Sequence, residues 1–315
     1  MNRSRWRSLG RGVLTLLAPL LLGWLAVQFI PPRGARPDPN PSRAATPGRP
    51  WIIAHAGGLG LHPENTLEAF AASAALGCDQ LEMDVRLTRD GILVTHHDPV
   101  INRTSNGTGP VLDHTLAELK ALNFGAHFHD ARGANPYRDR PAQIATLEEL
   151  FTRFPALPMT IELKDRGETG RQAGRVLAGL IARFQRTNSV VIASFDDATL
   201  NAFRDLTAGR IPTSAAKGEM RSFVVLSLLG LDRLWNGPVA AMQVPADPRE
   251  ASGFQLARPG FLRAAHGRNV AVHYWTVNDP AEMRRLIALG ADGLITDFPD
   301  RLKAILAEPT PAPAR

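Results

Sequence analysis

A chain of 315 residues with 44% hydrophobic content can build one large domain or two ordinary ones, and it carries no repeat of about 20–50 residues such as a solenoid needs. Residues 1–49 hold eight of its 36 Lys and Arg residues and one of its 30 acids, leaving 28 basic against 29 acidic side chains in the rest, so the net charge of +6 is no nucleic-acid footprint. The single cysteine, Cys78, excludes an intrachain disulfide, and its small, apolar surroundings read as buried packing rather than a reactive thiol.

The first element in the chain is apolar. Val13–Ile30 is an 18-residue stretch broken only by Thr15, Pro19, Gly23 and Gln28, and preceded by Arg3, Arg5, Arg7 and Arg11. At 1.5 Å per residue a helix of this length just spans a hydrocarbon core of about 30 Å. Basic residues on its N-terminal side predict that residues 1–30 form a cytoplasmic tail and retained membrane anchor, with the rest extracytoplasmic, periplasmic or at the cell surface. A cleaved signal peptide, giving a secreted protein, is the competing reading; no small-x-small site follows Ile30. Residues 31–50 contain seven prolines and read as an extended linker. The folded domain is expected over residues 51–308, with Pro309–Arg315 a loose tail.

From Trp51 onward, short β-rich runs alternate with amphipathic stretches. The strand candidates are Trp51–His55, Gln80–Leu87, Ile92–His97, Pro158–Lys164, Ser189–Ser194, Ile211–Ala215, Val239–Val244, Val270–Val277 and Gly293–Asp297. Helices are expected at Thr66–Leu76, Thr115–Leu122, Gly170–Gln185, Asp197–Leu206, Met220–Leu228, Pro259–His266, Pro280–Leu289 and Pro299–Leu306. The alternation predicts parallel βαβ units, about eight of them, and hence an α/β fold of the (β/α)8 TIM-barrel type. A doubly wound open sheet is the runner-up. Its phosphate-binding glycine pattern is one residue out of step in His55-Ala-Gly-Gly-Leu-Gly. A long polar excursion at about residues 99–145, after the second βα region, reads as an insertion standing over the barrel mouth.

Reactive groups of such a barrel belong at the C-terminal ends of its strands. His55 closes the first strand candidate, and His97-Asp98 follows the third. Glu82 and Asp84, two apart on one strand, project to the same face. Glu162 and Lys164 repeat that spacing on the next barrel strand, Trp275 stands near the end of a later one, and Asp297 ends the last. Carboxylates crowded on an apolar strand repel one another and lose solvation, which a hard cation relieves. Glu82, Asp84 and Glu162 therefore form a candidate site for Mg2+ or Ca2+, with zinc disfavoured by the lack of Cys or clustered His ligands. His55 and His97 can supply a proton donor and a proton acceptor, with Lys164 and the metal stabilising phosphoryl oxygens. The other histidines, His62, His96, His114, His127, His129, His266 and His273, carry no constellation and read as structural or surface groups. Phe223–Leu231 reads as an ordinary barrel helix with an apolar face.

The segments His55-Ala-Gly-Gly, Pro63-Glu-Asn-Thr-Leu-Glu-Ala-Phe, Leu81-Glu-Met-Asp-Val-Arg-Leu-Thr-Arg-Asp-Gly and His97-Asp98 resemble the glycerophosphodiester phosphodiesterase family. Ile161-Glu-Leu-Lys, Trp275-Thr-Val-Asn and Gly290-Ala-Asp-Gly-Leu-Ile-Thr-Asp-Phe-Pro extend the resemblance over about Ile52 to Leu306. It implies a TIM barrel with a small insertion after the His-Asp motif, and hydrolysis of a small-molecule glycerophosphodiester to sn-glycerol 3-phosphate and an alcohol. It further implies His55 and His97 as the acid/base pair, Glu82, Asp84 and Glu162 as metal ligands, and attack by the neighbouring glycerol hydroxyl through a cyclic phosphate. Lys164, Trp275, Glu64 and Asn65 are candidate substrate-binding residues, Glu64 and Asn65 having helix capping as an equal alternative. Ala56 stands where the family commonly has arginine, which removes a bidentate phosphate donor and points to Lys164, helped by Arg103, as the phosphate grip. Two alternatives are a lysophospholipase D or sphingomyelinase D-like enzyme acting on lipids, and a tethered binding protein that has lost catalysis. The latter would show a substituted site carboxylate or histidine, and none is substituted.

Overall fold

A computed structural model of the chain describes residues 21–31, 42 and 49–308. Seven parallel strands run side by side in the order β5 (Val190–Ala193), β4 (Met159–Leu163), β2 (Gln80–Leu87), β1 (Trp51–Ala54), β8 (Gly293–Thr296), β7 (Ala271–Trp275) and β6 (Ala241–Pro245). The gap between β5 and β6 is bridged where Thr213 pairs with Ile192 and Ser214 pairs with Ala241. The sheet thus curls into a nearly closed barrel of the TIM type, and the strand expected at Ile211–Ala215 survives as these isolated pairings. The run expected at Ile92–His97 is not a barrel strand. It is a short antiparallel partner of β2, β3 (Leu93–Thr95).

Residue pattern explains why the reactive side chains point inward. In β2, alternation sends Leu81, Met83 and Val85 into one core cluster with Phe70 and Leu177, while Glu82 and Asp84 face the interior. Helices α2 (Leu67–Leu76), α5 (Gly167–Arg183), α6 (Asp197–Leu206), α7 (Lys217–Leu228), α8 (Pro259–His266), α9 (Pro280–Leu289) and α10 (Pro299–Ala307) alternate with the strands. Pro at the first helical position opens α8, α9 and α10, as its fixed φ favours. The sequence reading passed over α4 (Leu147–Arg153), although Thr146 and Glu149 form a capping box at its start.

The excursion after β3 has its own small core. Val94, Ile101, Val111, Leu119, Phe124 and Ile144 cluster apart from the barrel core, around the short helix α3 (Leu116–Lys120). Val94 thus ties β3, and the His96-His97 pair that follows it, to the insertion.

The expected membrane anchor is corrected. Among the described residues no helix is long and apolar enough to cross a membrane; residues 13–20 of the expected span lie outside them. The helix α1 (residues 21–27) instead lies against the barrel. Trp24 Nε1 donates to the Leu229 carbonyl at 3.0 Å, Gln28 Nε2 to that of Gly230 at 2.8 Å, and Arg233 Nη1 to that of Ile30 at 2.9 Å. These partners follow α7 on the side where β6 begins, the end of the barrel away from its mouth. The membrane-anchored, extracytoplasmic placement built on that anchor is withdrawn with it. Of the proline-rich stretch, Ser42 is buried and its carbonyl accepts from His273 Nε2 at 2.8 Å.

Truncation in the small core should loosen the insertion. We expect Ile101→Ala to lower unfolding stability by about 3 kcal/mol in urea denaturation, from lost burial and the cavity left behind.

Candidate active site

The site begins at the turn after β1. His55–Gly57 form a single 3-10 turn, and Gly57 has φ +83°; a Cβ there would lie 2.8 Å from that of Ala69. Glycine therefore lets α2 close against the turn and holds His55 at the barrel mouth. Ala56 is buried with a left-handed backbone (φ 48°), and its N–H donates to Glu82 Oε2 at 2.9 Å. The position that lacks the arginine therefore still binds the site, through its backbone.

Parallel pairing of β2 with β4 sets Asp84 directly beside Glu162. Glu82, Asp84 and Glu162 are all buried and each offers a carboxylate oxygen, the three lying within 4.8 Å of one another. Lys164 Nζ bridges Asp84 Oδ1 at 2.9 Å and Glu162 Oε2 at 3.0 Å. One ammonium cannot neutralise three acids. Burial, together with the charge of Asp84, pushes the Glu82 carboxyl above its usual range, and burial does the same to Glu162. Asp84 goes the other way, because Lys164, His97 and the Asn65 amide outweigh its desolvation. An all-oxygen, buried and under-neutralised set of this kind fits a hard divalent cation.

Both histidines are braced at Nδ1 by an aspartate. His55 Nδ1 lies 2.6 Å from Asp297 Oδ1, and the Asn278 amide donates to the other oxygen of Asp297 at 2.6 Å. Burial opposes protonation of His55, but the Asp297 hydrogen bond and the charges of Glu82 and Asp84 overcome it and raise the pKa to about 9. His97 Nδ1 lies 2.8 Å from Asp98 Oδ1, and Asp98 Oδ2 accepts from Arg103 Nε at 2.6 Å. Arg103 also clasps Glu64 with both terminal nitrogens, at 2.7 and 2.6 Å. Although partly desolvated, Asp98 is held down to about 2 by Arg103 and His97.

His55, Glu82, Asp84, His97, Glu162, Lys164 and Trp275 line one cleft of about 350 Å3 at the C-terminal ends of the strands. The remaining candidates stand behind it. Asn65 Nδ2 donates to Asp84 Oδ2 at 3.0 Å, while its Oδ1 accepts from the Asp84 N–H, and Glu64 is taken by Arg103. Helix capping falls to neither of them; the N-cap of α2 is Thr66. Arg103, expected to help grip phosphate, is committed to Glu64 and Asp98. Cys78 is buried as expected, its thiol pushed up to about 11 by burial.

The sequence reading missed the bracing role of Asp297 and Asn278, and it missed Phe195, Ser194, Ser214 and Gln243 in the cleft wall. The Trp275-Thr-Val-Asn and Thr-Asp-Phe-Pro motifs contained the signal for the first pair.

Two substitutions test the bracing. In chelator-treated protein, Asp297→Asn should destabilise most below about pH 6.5. The difference from wild type should vanish as pH rises through about 9, because the raised folded-state pKa of His55 stabilises only while the ring is protonated. Urea unfolding across that range measures it. Arg103→Ala should lower kcat by about 10- to 100-fold with a smaller change in KM, as expected when a brace behind a reacting group is lost.

A sequence profile of the glycerophosphoryl diester phosphodiesterase family matches residues 55–301. A glycerophosphodiester phosphodiesterase of Bacillus altitudinis is 30% identical over 262 residues, covering 82% of this chain and 98% of that protein. Human Lysophospholipase D GDPD3 is 30% identical over 285 residues, covering 82% and 86%. An Oleispira antarctica phosphodiesterase solved in complex with the product sn-glycerol-3-phosphate has a similar fold, with a TM-score of 0.66 and 23% identity, covering 82% and 97%. With the barrel and its seven converging motif residues in view, the chain belongs to the glycerophosphoryl diester phosphodiesterase family.

Proposed function

We propose that this protein hydrolyses glycerophosphodiesters to sn-glycerol 3-phosphate and an alcohol, in a reaction that depends on a divalent cation. The observation that carries the reading is the convergence of two aspartate-braced histidines on a buried trio of carboxylates in one cleft. Glu82, Asp84 and Glu162 would hold Mg2+ or Ca2+, which when bound would supply positive charge to the non-bridging phosphoryl oxygens.

The protein's own groups do the rest. With each Nδ1 tied to an aspartate, the Nε2 atoms of His55 and His97 are the exchangeable positions facing the cleft. One accepts the proton of the attacking hydroxyl of the glycerol. As the oxygen–phosphorus bond forms and the bond to the alcohol breaks, the other delivers a proton to the departing oxygen. Water then opens the cyclic phosphate with the two roles exchanged. Lys164 adds a fixed positive charge beside the phosphoryl group, and Trp275 gives the substrate an apolar wall.

A second reading is lysophospholipase D activity, favoured by the similarity to human Lysophospholipase D GDPD3 and by Phe195, 43% exposed at the cleft rim beside Trp275. One experiment separates them. Purified protein with Mg2+ or Ca2+ should release glycerol 3-phosphate from glycerophosphocholine faster than it cleaves lysophosphatidylcholine, and excess EDTA should stop it. His55→Ala or His97→Ala should lower kcat about a thousandfold. The cation should raise the melting temperature of wild type but not of Glu82→Gln. Full turnover in EDTA would overturn the metal assignment, and preference for the acylated substrate would favour the second reading.

A further inference from the structure

Two side clefts open beside the catalytic one. The first, of about 590 Å3, shares only Trp275 and Thr276 with it and is edged by Asp247, Glu250, Asp279 and Glu282. The second, of about 250 Å3, shares His97, Glu162, Lys164, Ser194 and Phe195 with it and is edged by Arg166 and Lys217. A ligand can therefore reach from the reactive centre into the second without leaving a catalytic histidine, whereas the first touches none.

The charges of the two clefts are also in different states of use. In the acidic cleft, Asp247 is paired with Arg249 at 2.5 Å and Glu282 with Arg285 at 2.6 Å. Asp279 is occupied as the N-cap of α9, which leaves Glu250. In the basic cleft, Arg86 is committed to Asp165 at 2.8 Å and to the His97 carbonyl. Asp196 caps α6, and Asp98 is held by Arg103. The side chains of Arg166 and Lys217, both exposed, have no hydrogen-bond or ion-pair partner among the described residues; Arg166 acts on Asp196 only as a charge at longer range.

Helix-end electrostatics do not account for these two cations. Arg166 is the N-cap of α5 and Lys217 the first residue of α7. Both therefore add positive charge to helix ends that are already positive, where an acid would stabilise and a base does not. Between the clefts stands Phe195, with the Lys164 ammonium 5.9 Å and the Lys217 ammonium 5.2 Å from its ring centre. An anionic group lying past Phe195 would meet Lys217 and Arg166 while the phosphodiester remained at Lys164.

We propose that the basic cleft receives the alcohol half of the diester and selects alcohols that carry an anionic group, with Arg166 and Lys217 as the selecting residues. The proposal rests on the phosphodiesterase reading and names the substrate class within it.

The test compares glycerophosphoinositol 4-phosphate with glycerophosphoinositol, which differ by one phosphate, and with glycerophosphocholine. Wild type should show the highest kcat/KM on the phosphate-bearing diester. In Arg166→Gln/Lys217→Gln that advantage over glycerophosphoinositol should fall about tenfold, the loss of a charge-assisted contact. Arg166→Glu/Lys217→Glu should reverse the order, and added salt should erode it in wild type. Both cations are exposed, so folding does not depend on them. Equal wild-type rates on the two inositol diesters, or a ratio unchanged in the double variants, would overturn the proposal. Wild-type preference for glycerophosphocholine would overturn it in favour of the acidic cleft. Failure to cleave any of the three would instead remove the phosphodiesterase reading beneath it.

Discussion

Three carboxylates buried within 4.8 Å of one another, with a single lysine between two of them, set the conditions for everything around them. Left in water, such groups would stay ionised and apart; crowded on β2 and β4, they are held together by the strand register and the barrel core behind it. Their surplus charge draws in whatever is positive or can donate. The Ala56 N–H, the Asn65 amide and the Lys164 ammonium all point at them. The same field helps to keep His55 protonated well above the ordinary histidine range. A cation in that position would therefore change the protonation of its neighbours as well as bind a substrate.

The two histidines are braced alike at Nδ1 but differ one step further out. Asp297 is backed by a neutral amide, so its charge acts on His55 undiminished. Asp98 is backed by a guanidinium that is itself shared with Glu64, so its charge is spent in two directions. Such asymmetry suits the exchange of proton-donor and proton-acceptor roles proposed for the pair. Arg103 holds the aspartate that braces His97, and Lys164, just past β4, lies against Asp84 and Glu162.

Much of this was legible in the sequence for a physical reason. Inward and outward positions alternate along a strand, so Glu-x-Asp in β2 and Glu-x-Lys at the end of β4 each declare one face. Helices opened by proline, such as α8 and α9, announce their first residue. Contacts between distant segments were not legible. Nothing local marks Asn278 as the partner of Asp297, or Glu64 as the partner of Arg103, because those pairings exist only once the barrel closes and the insertion folds over it. Likewise β3 has a strand's composition but pairs antiparallel with β2, and composition alone does not distinguish that from a barrel strand. The apolar N-terminal run misled for a related reason. Length and hydrophobicity describe a segment's solvent preference, whereas the described part of this one is tied to the turn after α7 by hydrogen bonds from Trp24 and Gln28, with Leu21, Leu22 and Phe29 exposed.

The small second core of the insertion gives the His97 side of the cleft a support that can open separately from the barrel core. Val94 belongs to that core and His97 follows three residues later, so this histidine hangs on both bodies: β3 pairs with the barrel strand β2 and Arg86 holds the His97 carbonyl, while the six-residue cluster anchors β3 from the other side. Small clusters open at lower free energy than the core they rest on. Heating that opened the cluster would therefore free His97 on one side and reversibly weaken the proposed reaction while the barrel stayed intact.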